Sequence, residues 1–354
     1  MNALKRARQL VERAVDLLRT GGRPRLALAL AGGGVIGGMY EVGALAALDE
    51  RLGSDGPHFD IYVGCSAGAV VASLLAAGVG AREIYRVLDE DIEHPLNFRR
   101  GSVFAPDAGR RAAGRFGRFL WAVGRSVFRR GRQTVPDILA GAQDLPPGFF
   151  ALTALEEYLR RVFASRGIGN SFAALPRRLL IPAVDLDTAE RVVFGEGALR
   201  DVAISHAVAA SSAIPGFFDP YTIDGRDYVD GGVGWSGHAD LAATAGATDI
   251  LVVNPLVPNL ASPGAPVRAR GVYTIMEQAS RIYSQNLLTL GLATLATRHP
   301  RAAFYLLQPP RTNDLLFGPS MGFAAARAAL RFGRESTAAW LDGGGAGLVR
   351  QLGG

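Results

Sequence analysis

The sequence predicts an α/β fold built on a mostly parallel sheet, and three features predict it. Residues 26–31 are apolar throughout, without alternation, and are bounded by Pro24-Arg25 and by Gly32. Such a run fits a short strand buried on both faces, as parallel sheets require. A glycine loop follows, and then a helix from about Tyr40 to Leu52 with apolar residues at Val42, Leu45, Ala46 and Leu48. The same order recurs directly: 60–64 reads as a strand, Cys65-Ser66 as a turn, and 67–77 as a helix of small residues. Strand, turn and helix twice in succession open a doubly wound fold.

Further strands are expected over 178–185, 190–194, 227–229 and 249–253, with a helix over about 199–210. Pro255, Pro258, Pro263 and Pro266 then separate this sheet from a mainly helical region over 257–354. That region carries helices over 272–297 and 322–341, one strand over 303–308, and a glycine-rich tail expected to fray. At the other end, residues 1–24 read as a basic amphipathic helix. Leu4, Ala7, Leu10, Val11, Ala14, Leu17 and Leu18 recur there at helical spacing, opposite Lys5, Arg6, Arg13 and Asp16.

A chain of 354 residues that is 49% hydrophobic and 20% charged can bury a full core. Its single cysteine forms no internal disulfide. Five scattered histidines, without an HExxH or a cysteine pair, argue against a metal site, and no cofactor is expected. Residues 1–25 lack the continuous apolar stretch of a secretory signal, and the longest apolar tracts are interrupted or too short to span a bilayer. The expected location is therefore cytoplasmic, peripheral on the inner membrane face. Of the net charge of +6, residues 1–25 contribute +5 and the arginine-rich insert at about 99–133 contributes +9, leaving −8 elsewhere. Two basic segments on an acidic body favour an anionic partner, either a lipid surface or a nucleic acid. Residues 99–132 interleave ten arginines with Phe104, Phe116, Phe119, Trp121 and Phe128. That mixture suits an anionic membrane with apolar anchors, so 1–19 and 99–132 are the expected membrane contacts and no nucleic acid is expected.

Gly64-Cys65-Ser66-Ala67-Gly68 fits G-x-S-x-G at the point where a strand ends and a helix begins. In that context a sharp turn lifts the Ser66 hydroxyl clear of the backbone, beside the open N–H groups of a helix N-terminus. Gly32, Gly34 and Gly37 also satisfy G-x-G-x-x-G. That loop has two readings: a dinucleotide site, with Asp49, Asp55 or Asp60 on the ribose, or a nest of backbone donors around an oxyanion. Asp230-Gly231-Gly232 closes an expected strand. By itself it reads as a turn; near Ser66 its carboxylate can serve as a base. A Ser–His–Asp hydrolase spelled Ser66, Asp230 and His238 or His299 is the enzymatic alternative. Ser211, Ser212 and Cys65 read as packing residues.

Gly32-Gly33-Gly34-x-x-Gly37, the Ser66 motif, Asp185-Leu186-Asp187-Thr188, the run 210–218 and Asp230-Gly231-Gly232 resemble, in this order, the patatin-like phospholipases. The resemblance covers about 26–256 and makes 25–256 the expected catalytic domain. It implies a three-layer α/β/α fold and a Ser66–Asp230 dyad without a metal. It also implies an oxyanion hole from Gly32, Gly33, Gly34, Gly37 and Ala67, with Gly64, Gly68, Gly231 and Gly232 as motif glycines. The implied substrate is a phospholipid or another acyl-ester lipid. One position departs: the family's loop carries Arg or Lys where this chain has Ile36, which leaves a non-catalytic lipid-binding scaffold as a further alternative.

Overall fold

The computed structural model describes residues 24–352 except 54–58, 106–107, 111–112, 115, 118–146, 262–263, 265, 313 and 344. The expected N-terminal helix and most of the arginine-rich insert lie outside the described residues. In chain order the main elements begin β1 (Leu26–Leu30), α1 (Gly34–Leu52), β2 (Ile61–Gly64), α2 (Ala67–Ala76), α3 (Ala81–Asp89) and α4 (Thr153–Ser165). Next come β3 (Arg178–Asp185), β4 (Arg191–Phe194), α5 (Ile204–Ser211), β5 (Tyr221–Ile223) and β6 (Arg226–Asp230). The chain continues through α6 (Ala239–Thr244), β7 (Asp249–Val253), α7 (Val272–Arg298), β8 (Ala303–Leu307), α8 (Ala326–Asp342) and α9 (Ala346–Leu352).

The uninterrupted apolar runs form the middle of the sheet, where both faces are covered. Strands β3, β2, β1, β7 and β8 lie side by side in that order, all parallel. Alternate residues of these strands serve different layers. Leu28, Tyr62, Leu179, Leu251 and Val253 join the core beneath α1, α2, α4, α5 and α8, whereas Ala27, Ala29, Ile61, Val63, Ile250 and Val252 join that beneath α6 and α7. The result is the expected three-layer α/β/α arrangement, with short side chains on β1 where α6 approaches. No described helix is long and apolar enough to cross a membrane.

Two details differ from the sequence reading. Helix α1 begins at Gly34 rather than Tyr40, so Gly37 lies in its first turn and not in the loop. A Cβ on Gly37 would come within 2.5 Å of the Gly32 carbonyl oxygen, so that glycine serves close packing. The region after 256 is also not a separate layer: β8 extends the sheet from β7, and α8 packs on α1. The boundary expected at 256/257 therefore does not divide the packing.

At the other edge the sheet turns antiparallel. The Arg178 N–H donates to Asp60 and the Leu186 N–H to Asp227, so β2 and β6 occupy the same edge of β3, one after the other. The Asp185 N–H points the other way, to Glu190, where β4 pairs. Because β6 is antiparallel to β3 and β2 is parallel to it, the C-termini of β2 and β6 face each other end to end. Pro182 stands at the seam, where no neighbour needs the N–H that proline lacks.

Candidate active site

Ser66 lies two residues beyond the end of β2 on one side of this seam, and Asp230 is the last residue of β6 on the other. The backbone of Ser66 has φ 55° and ψ −127°, a conformation L-residues rarely hold. Cys65 donates its N–H to Leu30, keeping the turn in line with β1. The Ser66 N–H donates to the Ser211 hydroxyl at 3.1 Å, and that hydroxyl donates to the Pro182 carbonyl at 2.7 Å. Ser211, expected as a packing residue, thus ties the turn to the seam in β3. Ser212 is buried, its hydroxyl has no partner among the described residues, and it lines the cavity beside Ser66.

The motif glycines act differently from expectation. Neither Gly64 nor Gly68 has positive φ; the strain sits on Ser66 itself. A Cβ at Gly64 would meet the Gly68 carbonyl oxygen at 2.5 Å, and one at Gly68 would meet Leu30 O at 2.7 Å, so both let α2 start against the sheet. Gly231 plays the same part beside Pro182, where a Cβ would lie 2.4 Å from the carbonyl oxygen. The N–H of Gly232 donates to Asp230 Oδ1 at 2.8 Å.

The glycine loop runs through positive φ at Gly32, Gly33 and Gly34, which turns successive N–H groups to one side. Its donors are not equivalent. Gly32 donates to the Oε1 atom of Glu41 at 2.8 Å and Gly37 donates to the Gly33 carbonyl, so neither is open to a ligand. The N–H groups of Gly33, Gly34 and Ala67 have no acceptor among the described residues. This removes Gly32 and Gly37 from the expected oxyanion set and leaves Gly33, Gly34 and Ala67. Ile36, where a cation was expected, is buried, and its N–H donates to Ser320 at 3.1 Å. Of the acids the dinucleotide reading would use, Asp49 is buried in α1, Asp60 accepts the Leu26 N–H, and Asp55 lies outside the described residues.

Glu41 interrupts an otherwise apolar stretch of α1. Its side chain is fully buried, and burial pushes its carboxyl up to about 8 despite the Gly32 N–H. An acid whose folded pKa is raised is most stabilising below its unfolded pKa, near 4.5, and that stability is lost as pH rises toward about 8. Glu41→Gln keeps an acceptor for Gly32 but cannot ionise. Its melting temperature should therefore fall less than that of the native protein between pH 5 and 8, by thermal denaturation; parallel falls would show that Glu41 is not protonated in the fold.

Asp230 is buried beside the Ser66 hydroxyl. Burial raises its carboxyl above the usual carboxylate range, against the lowering effects of the Ser66 hydroxyl, the Gly232 N–H and the Cys65 thiol. Its own N–H donates to Ala213 at 3.0 Å, which is how the 210–218 block positions it. Asp185, in the other linking block, builds a turn: its Oδ1 accepts the N–H groups of Asp187 and Thr188 at 3.1 Å each. The Cys65 thiol contacts Asp230 at 3.6 Å, and burial followed by that carboxyl pushes it well above its ordinary value, so it is no thiolate nucleophile.

The histidines do not complete a triad. His238 is buried with its Nδ1 3.4 Å from Arg191, and its Nε2 has no hydrogen-bond partner among the described residues. Burial, then Arg191, lowers its pKa to about 4, so it is neutral near pH 7. With the Arg191–Asp240 ion pair and the Arg191 guanidinium 3.9 Å above the Trp235 ring, it holds the loop that leaves Asp230. His299 precedes β8, whose first residue is level with Asp249 and hence with Leu26, at the opposite end of the sheet from Ser66.

Gly34, Ser66 and Ala67 open onto a cavity between α1, α2, α4 and the 210–218 segment. Its other walls are almost entirely apolar, including Met39, Val70, Leu74, Leu155 and Phe218. Among the described residues no cluster of His, Cys, Asp or Glu is suited to a metal ion.

The family model described as patatin-like phospholipase matches residues 28–236. A cGAMP-activated phospholipase of Pseudomonas aeruginosa (strain BWHPSA011 / Pa011) is 27% identical over 215 residues, 58% of this chain and 52% of the relative. The match thus spans about half the length of that relative. Similar solved structures include VipD from Legionella pneumophila, 17% identical with a TM-score of 0.38 over 91% of this chain and 67% of that one. Another is the type III effector protein ExoU, 17% identical with a TM-score of 0.37 over 93% of this chain and 54% of that one. The family match spans more than half of the chain and contains both Ser66 and Asp230: this protein belongs to the patatin-like phospholipase family.

Proposed function

We propose that this protein is a serine lipid acyl hydrolase, a phospholipase A or lysophospholipase, that works through a Ser66–Asp230 dyad without a metal or cofactor. The observation that carries the reading is the meeting of the strained Ser66 and the buried Asp230 at the head of an apolar cavity. The fatty-acyl chain occupies the cavity, whose walls are apolar, as ligand sites for hydrocarbon groups are. Asp230 takes the Ser66 proton as Oγ attacks the ester carbon, and the N–H groups of Gly33, Gly34 and Ala67 receive the oxyanion. The proton then passes to the departing alcohol, leaving an acyl-serine. Water, deprotonated by Asp230, releases the fatty acid and restores Ser66.

The missing loop cation favours no binding-only role, because Glu41 and Ser320 anchor the loop from either end. Segments 1–19 and 99–132 supply positive charge for an anionic membrane on the cytoplasmic side. Ser66→Ala should abolish labelling by a fluorophosphonate probe while changing stability by no more than about 1 kcal/mol, since one hydroxyl contributes little packing. Persistent labelling in that variant would place the nucleophile elsewhere.

A further inference from the structure

Helix α7 is 27 residues long and contains three charged residues, Glu277, Arg281 and Arg298. The first two are turned inward. Arg281 is buried, pairs with Glu277 at 3.0 Å, and donates to the carbonyls of Val257 and Leu316. Arg298 is the last residue. The outward face from Val272 to Thr297 therefore carries no charge over seven turns, and Val272, Ile275, Met276, Tyr283, Leu287 and Leu290 stand exposed on it. A surface helix ordinarily turns its charged side to water and its apolar stripe to the core. This one keeps its charges inside, which marks the face for contact with something other than water.

Three observations select a lipid surface. The uncharged face is bracketed by cations, with Arg268 and Arg270 before it and Arg298 after it, although Arg270 also pairs with Asp314. Apolar and tyrosine side chains between basic ends suit a helix lying flat at an anionic interface. The helix is also joined to both halves of the site. Tyr273 interacts with Ser320, whose carbonyl accepts the Ile36 N–H and whose neighbour Met321 lines the cavity. Ser284 is hydrogen-bonded at 2.8 Å to Ser236, in the loop that leaves Asp230. Finally, that loop exposes Val233 and Trp235, adding apolar surface on the Asp230 side.

We propose that the outward face of α7 rests on an anionic phospholipid bilayer and so brings the enzyme to its lipid. This rests on the site being a lipid acyl hydrolase, and the experiment separates the two. The full chain and a triple variant, Met276→Glu, Tyr283→Glu and Leu290→Glu, are sedimented with vesicles of phosphatidylcholine alone or mixed with phosphatidylglycerol. Each is then assayed on vesicle phospholipid and on a soluble short-chain ester. The native chain and Ser66→Ala should bind the mixed vesicles equally. The triple variant should bind at least about tenfold more weakly and lose vesicle hydrolysis in proportion, with soluble-ester hydrolysis and melting temperature unchanged. Undiminished vesicle binding by the triple variant overturns the proposal. So does a native dimer that the substitutions dissociate without affecting vesicle binding, which would make a second copy the occupant. A melting temperature lowered by several degrees would show that the chain itself covers the face, and also overturns it. Vesicle binding that needs α7, with neither substrate cleaved, leaves docking intact and removes the catalytic reading instead.

Discussion

Asp230→Asn should abolish ester hydrolysis, whereas His238→Ala should retain most of it. Asparagine preserves the shape of Asp230 and an oxygen to accept the Gly232 N–H, which at 2.8 Å helps fix the loop beyond it. It cannot take a proton. The substitution therefore isolates the basic function of the carboxyl, and the loss should reach about 10²–10⁴-fold or more, the range of general-base catalysis. In a Ser–His–Asp triad the imidazole takes the proton, and removing it is as damaging as removing the serine. Here the His238 ring meets Arg191, which also pairs with Asp240, so its loss should loosen the loop and reduce the rate several-fold at most. Initial rates on a soluble ester, with folding checked by circular dichroism, decide between the two. An inactive His238→Ala beside an active Asp230→Asn would return the chain to the triad hydrolases.

The parts of this arrangement that the sequence discloses are those with an uninterrupted physical signal. The apolar runs at 179–184 and 250–253, bounded by Arg178, Asp185 and Asp249, mark β3 and β7, because a strand covered on both faces has no internal polar position to obscure its limits. The meeting of Ser66 and Asp230 is legible as motif spacing, but its geometry is not. A parallel sheet would bring two such strand ends together along one edge; instead β6 runs antiparallel and abuts β2 end to end. A usable signal existed in Asp224-Gly225, both with positive φ, between Tyr221-Thr222-Ile223 and Arg226-Asp227-Tyr228. Asp-Gly between two β-prone triplets specifies a tight hairpin, hence an antiparallel β5–β6 pair. Glu41 was detectable in principle as the one acid within an apolar helical stretch. Its partner was not, since a helix pattern does not show which backbone donor a buried carboxyl will meet. Ser211 was equally hidden, because its role depends on a carbonyl at Pro182, 29 positions away.

Gly43→Ala should destabilise the protein, although alanine is the better helix former by about 1 kcal/mol. Helices α1 and α8 cross backbone to backbone. A Cβ at Gly43 would lie 2.0 Å from the Leu330 carbonyl oxygen, and one at Gly333 would lie 2.3 Å from that of Tyr40. The obstructing atoms belong to helical backbone, so no side-chain rotation relieves the overlap and the helices must separate. Overpacking a well-filled core costs about 1–3 kcal/mol and more where the obstacle is rigid, which exceeds the gain in propensity. A net loss of about 2 kcal/mol follows, measurable by urea or thermal unfolding. Gly291, within α7, provides the opposite case: a Cβ there meets nothing within 4 Å. Gly291→Ala should therefore stabilise by about 0.5–1 kcal/mol through propensity alone. The two effects also differ in reach. Helix α1 starts with the Gly34 N–H and carries Glu41 beneath Gly32, so separating it from α8 disturbs the oxyanion loop as well. Gly43→Ala should lose hydrolytic rate together with stability, while Gly291→Ala keeps the native rate on a soluble ester. Equal stability of Gly43→Ala and the native chain would mean that the crossing is looser than these distances allow.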